Sequence, residues 1–365
     1  MVNFKKLRIN NKNGIEVGDE TVFDGALTRD CQNLLAISHA HEDHGIDDIP
    51  NAVSEYGATV VMTKATKDLL GTRINSRTDS TYVGLEYNKD FQIDKMKINL
   101  LDANHMLGSA QIKLEHEDLD WSVGYSGDIG SNVEKPINVD VLFLDSSHSS
   151  FFDPRPYSQK QAIKDLSEKI KECIAQEKSF NLVAHSGLLQ YVIDSLTEYI
   201  PTIWEQFPTV IAGGYDYTKK RADLIKHNCD VYKNWGFEQP EVLSSKDLDN
   251  EDRIFSLERS GPVVKLFNRY ADIQNMISTS FVIRLNKNQK SPLVEFDKGN
   301  GYNVSFSSHE TGDTLRQYIE RVEPKVVITD GHRNNNLGNA EKLTKYIKEK
   351  IGIDSITSFE LNELH

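Results

Sequence analysis

This sequence predicts an α/β protein in two parts, and three observations carry that prediction. Up to about Phe152, short apolar runs keep ending in polar loops that hold His or Asp, often beside a glycine. From there on, helical periodicity alternates with strands in the manner of a β/α unit. Beyond Ser291 the style of the first part returns. A metal-binding α/β domain split by a smaller α/β insertion accounts for all three, and 365 residues exceed one average domain. The expected boundaries are 1–154 and 291–365 for the split domain, with 155–290 as the insertion.

The elements follow in order. Leu7–Asn10 and Gly14–Val17 read as strands, and Glu20–Gly25 as a strand closing on Asp24 and a glycine. Leu34–Ile37 is a short apolar run, the mark of a buried strand. Ala58–Met62 is the next strand and Lys64–Leu70 a helix. Met96–Asp102 alternates and runs into Ala103–Ala110, Trp121–Tyr125 ends at Ser126-Gly127-Asp128, and Val139–Leu144 ends at Asp145. Ser158–Gln176 sets Ala162, Ile163, Leu166, Ile170 and Ile174 among Lys and Glu at helical spacing. Strands at Phe180–Ala184 and Thr209–Ala212 alternate with helices at Leu188–Tyr199 and Tyr217–His227, and Pro262–Phe267 and Phe281–Leu285 are further strands. The returning part holds strands Leu293–Phe296 and Val304–Ser307, helix Thr314–Val322, strand Val326–Thr329 and helix Asn339–Ile351.

Composition bounds the class. With 38% hydrophobic and 27% charged residues, the chain is an ordinary globular one. No apolar run reaches the length of a membrane span, and Met1–Lys6 lacks the apolar core of a signal peptide, so no membrane partner is expected. Cys31, Cys173 and Cys229 are scattered and odd in number, which speaks for a reducing, cytoplasmic compartment. A net charge of −13 opposes binding to phosphates through a broad basic surface. A metal pair supplies local positive charge that a residue count ignores.

The chemistry concentrates in Ser38-His39-Ala40-His41-Glu42-Asp43-His44, where 3 of the chain's 11 histidines fall. His39 and His41 alternate and can face one way on an extended backbone. Asp43 and His44 can turn to a second point. Imidazole nitrogens and carboxylate oxygens suit zinc or a similar divalent ion, and a loop this dense can hold two. His105, Asp128 and His332 are further candidates, each just past an apolar strand in a glycine-bearing loop. Together they supply enough ligands for two ions with Asp128 between them. Such a pair can clamp both oxygens of a phosphoester displacement.

His39-Ala40-His41-Glu42-Asp43-His44 matches the H-x-H-x-D-H signature of the metallo-β-lactamase superfamily. Asp24, His105 and Asp128 fall where its first, third and fourth motifs are expected. Beyond them, Leu144-Asp145-Ser146-Ser147, Phe306-Ser307-Ser308-His309 and Asp330-Gly331-His332 resemble motifs A, B and C of the β-CASP branch, the nucleic-acid-processing nucleases. The resemblance spans nearly the whole chain. It implies a four-layer αβ/βα sandwich with the β-CASP segment as a cap over a metal-lined cleft.

Carried over motif by motif, it implies two Zn2+ per chain, with Mn2+ as the alternative. His39, His41 and His105 would hold one ion, Asp43, His44 and His332 the other, and Asp128 would bridge them. Asp24 would steady a ligand histidine. His309 would be the general acid, oriented by Asp145. His185, Ser186, Ser307 and Ser308 would contact substrate. The chain departs from the family at Ser278-Thr279-Ser280-Phe281, where a Thr-Ser-Gly loop is usual, and at Arg333, where an acid is common. A histidine at motif C resembles the RNA-processing members, so RNA is the expected substrate and partner, with DNA as the alternative. A small-ester hydrolase and a catalytically silent scaffold are the competing classes, and a homodimer is left open.

Overall fold

The computed structural model describes residues 3–29, 31, 33–74, 81–130, 133–146, 157–185, 187–206, 209–211, 219–242, 262–267, 278–284, 291–297, 300–306, 309, 312–333 and 337–364. The chain divides into two compact units, Met1–Pro154 with Ser308–His365, and Arg155–Ser307.

The first unit holds two sheets. β1 (Leu7–Ile9), β2 (Ile15–Val17), β3 (Thr21–Phe23), β4 (Leu34–Ala36), β5 (Thr59–Thr63) and β6 (Tyr82–Leu85) line up in chain order. Pairing is antiparallel from β1 to β3 and parallel from β3 to β6. The second sheet runs β19-β18-β11-β10-β9-β8-β7. Its strands are β7 (Asp90–Ile93), β8 (Met96–Asp102), β9 (Ala110–His116), β10 (Val123–Tyr125), β11 (Val141–Asp145), β18 (Val326–Asp330) and β19 (Asp354–Thr357). β7 to β10 pair antiparallel, while β10, β11, β18 and β19 pair parallel.

Burial explains the sequence pattern. Ile15, Phe23, Leu34 and Val61 of the first sheet pack against Ile98, Ile112, Tyr125, Val141 and Phe143 of the second. On the outer side of the first sheet, Leu35, Val60 and Met62 meet Ile49, Ala52 and Val53 of helix α1 (Ile49–Tyr56); α2 (Lys64–Leu70) follows β5. On the outer side of the second, Leu142, Leu144 and Val327 meet Leu315, Ile319 and Leu343 of the helices Gly312–Val322 and Leu337–Tyr346. The result is helix, sheet, sheet, helix: the four-layer αβ/βα sandwich. A strand covered on both faces has no polar side, which is why Val141–Leu144 reads as an unbroken apolar run.

The second unit is a sheet in the order β13-β14-β12-β15-β17-β16. β12 (Phe180–Val183), β13 (Thr209–Ile211), β14 (Val264–Phe267), β15 (Thr279–Arg284) and β17 (Gly301–Ser305) are parallel, and β16 (Leu293–Glu295) runs antiparallel to β17. One face packs against α3 (Gln159–Ala175), α4 (Leu188–Thr197), α5 (Ile203–Gln206) and α6 (Lys219–Asn234). Among the described residues the first unit also holds helices α7 (Gly312–Val322), α8 (Leu337–Tyr346) and α9 (Ser358–Glu363). Among the described residues no helix is long and apolar enough to cross a membrane.

Two sequence expectations change. The return to the first domain comes at Ser308, not 291, because β17 pairs with β15 and carries β16 with it into the second unit's sheet. Ser278–Phe281 is not a loop but the entry to β15, where Asn181 donates to Ser280 Oγ at 2.8 Å.

Close backbone approach fixes the first sheet's functional edge. Gly25 N donates to His44 O at 3.0 Å, and a Cβ on Gly45 (φ 79°) would fall 2.4 Å from Gly25 Cα. Gly45→Ala therefore carries left-handed strain of about 1–3 kcal/mol plus a backbone clash, and its urea midpoint should fall accordingly. Phe143→Ala, which empties the space between the sheets, should cost about 3–5 kcal/mol by the same measurement.

Candidate metal centre

The site is built on strand ends of the first unit. β4 stops at Ala36, and Ile37 N donates to Val61 O, so the chain leaves the sheet as the histidine loop begins. Ser38 N donates to Asp24 Oδ1 at 2.7 Å and Ser38 Oγ to Asp24 Oδ2 at 2.6 Å, which pins the loop to the end of β3. Asp24 itself has a left-handed backbone (φ 48°), as does Asn104 (φ 53°) just before His105. Asp and Asn tolerate that conformation, and strain of this kind gathers at functional sites.

Four side chains converge. His39 Nε2 lies 3.0 Å from His41 Nδ1, and His105 Nε2 lies 3.3 Å from that same atom. Asp128 Oδ2 is 3.6 Å from both His39 Nε2 and His105 Nε2. Ligands in a tetrahedron around one zinc stand about 3.3 Å apart, so this spacing fits a single ion. Among the described residues, these four offer ligand atoms within 4.8 Å of one another. Burial, and then the neighbouring imidazoles of His44 and His41, hold the His39 pKa well below its ordinary value. Neutral imidazole is the form that ligates.

Asp128, Asp145 and His309 make a second such group. His309 Nδ1 is 3.0 Å from Asp145 Oδ2, and its Nε2 is 3.6 Å from Asp128 Oδ2. Its ring stands 4.5 Å from that of His105. Burial opposes protonation of His309, but Asp128 and the hydrogen bond that the ring donates to Asp145 outweigh it and raise the pKa. In turn, burial would raise the Asp128 pKa, but His44 and His309 hold it well below the usual carboxylate range.

His44 is fully buried. Its Nδ1 faces Asp24 Oδ2 at 2.6 Å, while its Nε2 lies 3.2 Å from Asp128 Oδ1 and 4.0 Å from Asp43 Oδ1. That Nε2 makes no hydrogen bond, and a buried nitrogen without one is costly unless something absent satisfies it. A ligated ion would do so. Burial disfavours the charged ring, but Asp128 and Asp24 push its pKa up to about 10 when no ion shares the site.

His332 is in neither of the two ligand groups formed among the described residues. Its Nδ1 lies 2.7 Å from Ser358 Oγ and its ring stacks on Phe359 at 4.0 Å. In the same turn after β18, Arg333 reaches toward His44 and Asp24. Sequence reading marked Arg333 only as a departure, and passed over Ser38, whose hydroxyl meets Asp24, His39 and His44. The signal for Ser38 was its place between the apolar run and the first histidine.

Of the expected substrate contacts, His185 is exposed at the end of β12 in the second unit, and its carbonyl accepts from Leu189 N at 2.8 Å. Ser186, Ser307 and Ser308 lie outside the described residues.

No family model matches the chain. RNase aCSPSF2 of Saccharolobus solfataricus is 24% identical over 373 residues, spanning 88% of this chain and 73% of that protein. Among solved structures, the metallo-beta-lactamase fold protein YhfI from Bacillus subtilis is 15% identical, covers 36% of this chain and 61% of its own, and has a TM-score of 0.29, too low to argue from. The long alignment, the order of the seven motifs and the layered fold agree. The chain is similar to that RNase over most of its length, and its motifs resemble those of the β-CASP branch.

Proposed function

We propose that this chain is a two-ion phosphodiesterase that cleaves RNA, in processing or decay. The observation that carries the reading is the meeting of His39, His41, His105 and Asp128 with the His309–Asp145 pair at one carboxylate. The similar protein from Saccharolobus solfataricus is an RNase, which favours RNA over DNA. The second unit, Arg155–Ser307, is read as the β-CASP insertion. The three cysteines are free and buried, which suits a reducing compartment, and the chain is read as cytoplasmic.

Three imidazoles and a carboxylate suit Zn2+, with Mn2+ as the alternative. His39, His41, His105 and Asp128 would hold one ion; His44, Asp43 and Asp128 would hold the other, with His332 the further ligand that the family implies. Bound ions supply Lewis acidity and hydroxide at neutral pH.

The remaining roles belong to the chain's own residues. Asp145 fixes the His309 ring through Nδ1, which leaves Nε2 facing Asp128. A proton held on that Nε2 can pass to the leaving oxygen of a cleaved phosphodiester. The raised pKa lets the ring hold its proton to higher pH than an ordinary histidine. Asp24 and Ser38 hold the loop in register.

End-labelled single-stranded RNA and DNA of matched sequence, with and without chelator, test the reading. RNA should be cut and the chelator should stop it; ready cleavage of DNA beside intact RNA would overturn the choice of substrate. His309→Ala should lower kcat about 100-fold or more while metal content stays unchanged. Asp43→Ala should reduce both, and an unchanged rate in that variant would sink the two-ion assignment.

A further inference from the structure

Among the described residues, Arg333 is the one arginine that is buried. Only 3% of it is exposed, although an arginine keeps its charge at any physiological pH. A buried charge persists only where partners replace water, and the partners here are specific. Nε donates to Asp330 Oδ2 at 2.9 Å, and Nη2 donates to the Asn13 carbonyl at 3.1 Å. Nη1 lies 3.7 Å from Asp24 Oδ2 and 3.4 Å from His44 Nδ1. The guanidinium also sits 5.2 Å from the centroid of the Tyr125 ring.

Both carboxylates are as buried as the guanidinium: Asp24 is 0% exposed and Asp330 5%. They stand on different sheets, Asp24 after β3 and Asp330 at the end of β18. Asp24 is also the group against which His44 Nδ1 is set, so that the bare Nε2 turns to Asp128 and Asp43. One planar fork thus joins the end of β18 to the carboxylate that aims His44.

We propose that Arg333 is a positioning residue for the second ion: by bridging Asp330 and Asp24 it fixes the Asp24 carboxylate, and through it the His44 ring. The inference rests on the two-ion reading above. A lysine could neutralise one carboxylate but has no fork to span both and the Asn13 carbonyl.

The test is release of zinc from the loaded full chain into graded chelator, followed by a zinc-sensitive dye, with urea unfolding run beside it. Wild type should hold two ions that leave in two steps. Arg333→Lys and Arg333→Met should lose one ion at a chelator concentration lower by about 10-fold or more, with the other step unmoved. Asp330→Asn/Arg333→Met, which removes one buried carboxylate charge with the cation, replaces Arg333→Met if that variant fails to fold, and the same shift is expected. Leu114→Ala, which empties space between the sheets toward the end of β9 away from the histidine loop, supplies a destabilised control, and both its steps should match wild type. Folded Arg333 variants with a wild-type profile, or an equal shift in Leu114→Ala, would overturn the positioning role. A wild type that holds fewer than two ions would overturn the two-ion reading and this inference with it.

Discussion

The parallel pairing of β10, β11 and β18 is the constraint on which the rest of the site depends. Parallel neighbours end on the same edge, so Asp128, Asp145 and Asp330 all emerge together. The ladder even places Asp145 opposite Asp330, residues far apart in sequence. Hydrogen bonds beyond the strands continue the alignment: Ser126 N donates to Phe143 O, Asp145 N to Ser126 Oγ, and Ser146 Oγ to Asp330 O. The histidine loop reaches this edge from the other sheet, where Ala110 N donates to Ser38 O at 2.8 Å. Rigid strands thus do for the acids what no loop could do alone.

The cost of such a site is electrostatic. His39, His44, His105, Asp128 and Asp145 are all buried, and buried polar groups are tolerable only when partnered. Serines provide much of that partnering. Ser109 Oγ accepts from the backbone of His105 and Met106, as Ser126 does for Asp145 and Ser358 for Gly331. Among the described residues, the buried imidazole nitrogen without a hydrogen bond, His44 Nε2, faces two carboxylates. With a net charge of −13 overall, positive charge must be local to matter, and the buried guanidinium of Arg333 is local.

Much of this was legible in the sequence. The split α/β domain and the loops that carry His and Asp followed from apolar runs, because such runs are strands covered on both faces, whereas the four-layer order was implied by the family resemblance. β9 escaped notice: Lys113 and Glu115 interrupt Ile112 and Leu114, and the loop motif before it drew the eye. β7 presents exposed and half-buried residues, the weak signal of an edge strand. The boundary near 291 was misplaced since β16 and β17 resemble the strands of either unit, and only pairing assigns them. The roles of His332 and Arg333 depend on which way one turn directs adjacent side chains, and periodicity carries no information on that.

The hydrogen bond between His309 and Asp145 joins residues 164 apart. Nearly all of that interval is the second unit, which the chain enters soon after Asp145 and leaves just before His309. Closing so long a loop is entropically expensive until the intervening segment has folded and brought its own ends together. These two side chains therefore meet late. On the ribosome the histidine loop is made long before His309, so this contact can close only after the whole second unit has been synthesised.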